Sequence, residues 1–179
     1  SLRSTGSAVA PGRLMISATN DITATDSGIL DALAAAGASF ANSRVTNNAV
    51  ASISGGNQAQ LLNQSGDVTL ASRSDAIISA SATALAGLAG FGESNAKAFN
   101  RPTNTIQLRG TTIEGQDIRL WSGIDATGVP NTLSTTADSQ IQAITVGITV
   151  PYVSAETTET NSIVLDGSSR ILARANAYL

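Results

Sequence analysis

The sequence predicts an all-β protein and, within that class, a right-handed parallel β-helix, a solenoid with super-repeats of roughly 50–57 residues. Three observations carry the expectation. A run of small residues with apolar side chains on alternate positions occurs three times, at 33–47, 85–100 and 141–161; centred on Gly37, Gly90 and Gly147, the copies lie 53 and 57 residues apart. A second marker, a short strand holding Leu14, Val68 or Ile118, recurs in phase with the first, at spacings of 54 and 50. Aromatic residues make up only 3% of the chain, so the interior must be filled by Ala, Ile, Leu and Val. Such a filling suits a narrow core repeated many times better than a globule anchored on large rings.

Taken in order, residues 1–11 are Ser-, Gly- and Ala-rich and read as a loop or the end of a preceding coil. The repeat segment is 12–179, in approximate repeats 12–65, 66–115 and 116–179. Each repeat opens on the strand marker: Gly12-Arg-Leu-Met-Ile-Ser-Ala, Gly66-Asp-Val-Thr-Leu-Ala-Ser and Gln116-Asp-Ile-Arg-Leu-Trp-Ser, with a weaker fourth at Ser169-Arg-Ile-Leu-Ala-Arg-Ala. In these, apolar and polar residues alternate as in a half-buried strand. The small-residue run follows, then a third marker: Thr105-Ile-Gln-Leu-Arg-Gly, Ser162-Ile-Val-Leu-Asp-Gly and the degenerate Val50-Ala-Ser-Ile-Ser-Gly. This aligns Ile53, Leu108 and Leu165 at spacings of 55 and 57. A period in the fifties is long for one coil, so each super-repeat is expected to hold two or three coils.

Residues 29–41 are the best case for a helix, since Ala and Leu favour helix and Thr25-Asp26-Ser27 offers a cap. The equivalent third copy, Ile141-Gln-Ala-Ile-Thr-Val-Gly-Ile-Thr-Val, is strand by its β-branching, and the first copy is assigned strand with it. A propeller would repeat at ~40–50 residues with aromatic signatures, and a sandwich need not repeat at all. The β-helix is therefore preferred, and the crossover rule for parallel strands makes it right-handed.

Composition narrows function. The net charge is −3 and Lys97 is the only lysine, which argues against nucleic acid and gives no polybasic handle for a membrane. The chain has no Cys and no His, which removes disulfides, thiol chemistry, zinc fingers and Ser-His-Asp triads. Apolar runs are too short for a spanning helix of ~18 residues or more. The first residues lack the pattern of a signal peptide. With no initiator methionine, the chain reads as an internal piece of something longer.

The Gly-Asp-Val-Thr-Leu and Gln-Asp-Ile-Arg-Leu starts resemble the coil starts of filamentous adhesins and haemagglutinin-type exoproteins. The small-residue run followed by Asn-x-Ile-x-Leu, at 85–108 and 141–165, is similar to repeats of the leukotoxin-like filamentous adhesin family of Gram-negative bacteria. The resemblance covers about residues 12–179 through compositional motifs. It implies a secreted, surface-displayed β-helical rod, exported by two-partner secretion through an outer-membrane partner.

Candidate residues are few. Asn47, Asn48, Asn100, Asn104 and Asn161 follow the small-residue runs, where stacked turn asparagines form amide ladders. Gly37, Gly90 and Gly147 are structural, allowing close stacking. Trp121 follows the inward Leu120, so alternation points it outward as a candidate ligand-binding platform, the alternative being that it covers a turn or fills a wide corner of the core. Asn63-Gln-Ser is a formal glycosylation acceptor. Glu114, Asp117 and Asp125, with Arg109 and Arg119 nearby, are the only grouping suited to glycan cleavage or calcium, and a solvated coil turn explains them more simply.

The expected function is a non-catalytic structural or adhesive segment of an extracellular bacterial filament, with no cofactor and no metal. Its partners are neighbouring coils of the same chain or head-to-tail copies, and a host or bacterial surface glycan or protein, without nucleic acid or membrane insertion. The alternative is a polysaccharide-active or glycan-binding β-helix: a lyase, a hydrolase or a tailspike-like protein.

Overall fold

The computed structural model describes residues 2–3, 12–31, 37–56, 58–86, 89–143 and 146–179. Strands dominate: β1 (Leu2–Arg3), β2 (Arg13–Asp31), β3 (Gly37–Asn47), β4 (Val50–Gly55), β5 (Gln60–Leu62), β6 (Asp67–Ala86), β7 (Ala89–Asn100), β8 (Thr103–Leu108), β9 (Thr112–Ser122), β10 (Leu133–Ala143), β11 (Val146–Thr157), β12 (Thr160–Leu165) and β13 (Arg170–Tyr178). No helix occurs among the described residues, so 29–31 and 37–41 are strand. Residues 33–36, where the first small-residue run begins, lie outside the described residues.

The strands form three sheets, and every pairing between named strands is parallel. The first sheet holds β1, β2, β5, β6, β9, β10 and β13; the second runs β3-β7-β11 and the third β4-β8-β12. The chain visits the first, second and third sheets in turn and then returns to the first. In the second sheet Gly37 pairs with Gly90 and Gly90 with Gly147, while in the first Leu14 pairs with Val68 and Val68 with Ile118. Two of the sequence markers therefore sit in true register.

Three expectations are corrected. The second and third sheets take one strand from each period, so a period supplies a single layer of strands instead of two or three. Strands as long as 19 and 20 residues, β2 and β6, use up the extra length. In the third marker Leu108 and Leu165 are register partners as expected, but the first copy is displaced by two residues: Ile53 pairs with Ile106, and Gly55 with Leu108. The fourth strand marker is also displaced, because Ile171 pairs with Ile113, and the partner of Ile118 is Ala177.

An insertion accounts for the unequal periods. The first part of β6 pairs with β9 (Val68 with Ile118), and its second part pairs with β10 (Ala76 with Leu133). Between β9 and β10 the chain leaves the sheet in a loop whose turns use Gly123 (φ 84°) and Gly128 (φ 92°). The Asp125 carboxylate holds the loop by accepting the backbone N–H groups of Thr127 (2.8 Å) and Val129 (2.9 Å) and the Thr127 hydroxyl (2.7 Å).

The interior has two parts with different fillings. Between the first and third sheets lie Val68, Leu70, Ile106, Leu108, Ile113, Ile118 and Leu120, all 1% exposed or less. Each such side chain stabilises by about 1.5–3 kcal/mol when fully buried. Between the first and second sheets the filling is mostly alanine: Ala41, Ala80, Ala82, Ala84, Ala96 and Ala98, with Ile78 and Val45. Small side chains let the two sheets approach closely enough for Ser94 Oγ to donate directly to the Ala82 carbonyl at 2.8 Å. The alanine-rich composition is thus the signature of a thin interior.

Candidate functional site

The predicted asparagines fall into two separate pairs. At the exit of the second sheet, Asn47 Nδ2 donates to Asn100 Oδ1 at 2.9 Å, and Asn100 Nδ2 donates to the Ala76 carbonyl at 3.3 Å. In the third sheet Asn104 Nδ2 donates to Asn161 Oδ1 at 2.8 Å. Asn48 belongs to neither pair and is exposed. Parallel in-register pairing places like residues over one another, so each amide offers its donor to the next amide's acceptor. Asn100→Ala should destabilise by about 1–3 kcal/mol, because it leaves the buried Asn47 donor without a partner. Urea unfolding checks this through the shift in midpoint.

Gly37, Gly90 and Gly147 form a column through the second sheet. A Cβ at Gly147 would overlap the Gly90 carbonyl oxygen, so a side chain there forces backbone to move. Asn63 is fully buried and its amide donates to the carbonyls of Gly12 and Asp67, both at 2.8 Å. In this fold it is not an exposed acceptor for a glycan.

Trp121 is half-buried and pairs with the buried Ala71. The loop after β9 returns across its ring: a Cβ at Gly128 would stand 3.7 Å from Trp121 Cη2. Alternation alone did not show this covering, because it belongs to the insertion.

The acidic grouping is divided among three arginines. Glu114 pairs with Arg174 at 2.6 Å, Asp117 with Arg119 at 2.8 Å, and Asp125 with Arg73 at 2.8 Å. Arg119 also holds Asp67 (2.9 Å), and Arg73 also holds Asp75 (2.7 Å). Arg109 stands apart, against Gln107, whose amide oxygen in its favourable orientation accepts from the guanidinium at 2.7 Å. The Arg174 hydrogen bond holds the Glu114 carboxyl below the usual range. Asp125 is held well below it by the Val129 N–H and the Thr127 hydroxyl, with Arg73 adding to them. A general acid for glycoside cleavage needs the opposite shift. No group of three potential metal ligands occurs among the described residues.

Asp166 closes a further turn. Its Oδ1 accepts from the Gly110 N–H (3.0 Å), the Ser169 hydroxyl (2.9 Å) and the Ser168 hydroxyl (2.9 Å) and N–H (3.2 Å). The Gly110 bond, followed by the Ser169 hydroxyl, lowers its pKa from 3.8 to about 2. Because the folded value is depressed, the stabilisation is complete above the unfolded value and is lost as pH falls from about 4 through about 2. Asp166→Asn should flatten that part of the acid limb, read as urea midpoint against pH.

An apolar recess of about 200 Å³ opens beside Ile16, Ile53, Leu61, Leu70 and Leu108, at the first-period end of the larger core. Its remaining lining is Ser54, Gly55, Gly56, Ala59 and Thr111, so it carries no charged group.

Sequence reasoning missed one surface. The outward positions of the second sheet carry Phe40 and Arg44 from β3, Phe91, Lys97 and Phe99 from β7, and Tyr152 from β11. All three phenylalanines and the single lysine of the chain are therefore on one face. The signal was present in the 53-residue offset, since Arg44 and Lys97 are register partners.

Comparison with protein-family models, with curated proteins and with solved structures finds no match for the chain.

Proposed function

We propose that the three sheets are the faces of a right-handed parallel β-helix and that the chain is a non-catalytic structural segment of an extracellular filament of the adhesin type. The observation that carries the reading is the state of the two outermost layers. Among the described residues no layer covers their inward apolar side chains: Leu14 and Ile16 in the first period and Ile163 and Ile171 in the last are all only partly buried against the core. Val153 and Leu165, the register partners of the buried Ala96 and Leu108, are exposed in the last period as well. Open strand edges beside such surface recruit further strands. Neighbouring coils of a longer chain, or head-to-tail copies, would cover them.

Right-handedness follows from the crossover rule for parallel strands. A non-catalytic role is supported by the pairing of each candidate acid with its own arginine and by the lowered pKa of Glu114 and Asp125. Secretion, surface display and an outer-membrane export partner rest on the sequence resemblance alone. Electron microscopy with averaging along the particle axis tests the reading. Rods with an axial repeat near ~4.8 Å are expected, and compact particles with no elongation would overturn it.

A further inference from the structure

We propose that the outer face of the second sheet is a binding site for an acidic polysaccharide, with Arg44 and Lys97 holding a carboxylate or sulfate and the neighbouring rings packing against the sugar. Stacking at either end of the molecule leaves this face open, so the inference does not depend on the filament reading.

The two cations are direct register partners on adjacent strands, which lie only ~4.8 Å apart. Like charges placed opposite one another in a sheet repel. The other arginines for which ion pairs are described, Arg73, Arg101, Arg119 and Arg174, all face carboxylates. Neither Arg44 nor Lys97 has an acidic partner among the described residues. Asp26 is near, but its carboxylate accepts the Arg44 backbone N–H at 2.9 Å and the Ser43 hydroxyl at 2.9 Å, leaving the guanidinium unpaired. Glu93 shares the outward row of β7 with Lys97 but stands four residues along the strand, about 13 Å away at the usual rise. Each cation instead rests over a ring: Arg44 Cζ is 5.5 Å from the Phe99 centroid and Lys97 Nζ is 5.1 Å from that of Tyr152. These contacts leave both charges without a neutralising partner, and an anionic ligand supplies one.

The surroundings favour a sugar over other polyanions. Tyr152 is 51% exposed and Phe40 50% exposed, and the Phe40 and Phe91 rings lie together at 5.7 Å. The apolar C–H face of a pyranose packs on such rings while its hydroxyls reach the exposed Asn42 on the outward row of β3. Nucleic acid would require a longer basic footprint than the Arg44–Lys97 pair of this face, in a chain of net charge −3.

The test uses polygalacturonate as the carboxylated probe, dextran sulfate as the sulfated one, and neutral dextran and a single-stranded oligonucleotide as controls. Binding of one or both acidic polysaccharides is expected, with none to neutral dextran and weaker binding to the oligonucleotide. The R44Q/K97Q double variant should lose about tenfold or more in affinity, as removal of charge-assisted hydrogen bonds implies. Tyr152→Ala should lose severalfold. Because Lys97 is the only lysine, its rate of acetylation in the unaltered protein reads occupancy directly, and a saturating acidic polysaccharide should slow it. That arm decides the matter even where a variant fails to fold. Failure of both acidic polysaccharides to bind, oligonucleotide binding of equal strength, or a saturated complex with Lys97 unprotected would each overturn the proposal.

Discussion

Leu70→Ala should lower the unfolding free energy by about 2–5 kcal/mol, the range for a large-to-small change in a packed core. Leu70 is 1% exposed and sits in the larger core with Val68, Leu108, Ile118 and Leu120. Its neighbours along the stack are Ile16 on one side and Leu120 on the other, so truncation opens a gap between two periods as well as between two sheets. The backbone around it is fixed by parallel pairing on both edges of β6, which limits how far the site can collapse onto the missing atoms. Urea unfolding should show a lower midpoint with an unchanged slope, since the surface exposed on unfolding is nearly the same. A midpoint within experimental error of the parent would mean that the Leu70 site is not packed as described.

Ala82→Leu should also be strongly destabilising, for the opposite reason. Ala82 is fully buried in the thin part of the interior, paired between Gly28 and Ser139, and its carbonyl accepts the Ser94 hydroxyl. Ser139 Oγ donates onward to Ser94 Oγ and to the Ser94 carbonyl, both at 2.9 Å, so the hydroxyls tie the first sheet to the second across two periods. Three additional carbon atoms have no space there. The sheets must separate, and the cost is about 1–3 kcal/mol or more. The neighbouring Thr83 points to the other face, and Thr83→Leu should stay within about 0.5 kcal/mol of the parent. Equal effects at the two positions would contradict the inward–outward assignment of β6.

The parts of the fold that were legible in the sequence were those with both periodicity and a distinctive residue. The glycine column at 37, 90 and 147 and the apolar column at 14, 68 and 118 are found in register because Gly and the Gly-Asp or Gln-Asp starts fix the alignment to a single residue. Where only alternation was available, as around Ile53 and Leu108, the alignment slipped by two. A two-residue slip keeps every side chain on its own face, so a period-2 pattern does not oppose it. The number of layers per period was misread because β6 spans 20 residues in one strand, which alternation along the sequence does not bound.

The candidate sites follow the same division. The asparagine pairs were legible because the residue type recurs at the repeat spacing, although their division between two sheets was not. Trp121 is set by the loop after β9, a feature of one period with no counterpart to align against. The cations and rings of the second sheet were invisible one strand at a time. Arg44 and Lys97 are 53 positions apart and become neighbours only once the register is known.

The central claim is that each period forms one layer, so that residues one period apart touch and residues two periods apart do not. Cysteine pairs test it directly, because the chain has no cysteine of its own. Thr25, Ser79 and Thr136 are consecutive partners on the outward face of the first sheet. Adjacent strands lie ~4.8 Å apart and alternate ones roughly twice that, on either side of the ~7 Å limit for a disulfide. The account predicts that T25C/S79C and S79C/T136C each oxidise to an intramolecular disulfide in the folded protein, while T25C/T136C stays reduced. Ready oxidation of T25C/T136C, or none in the two adjacent pairs, would contradict it.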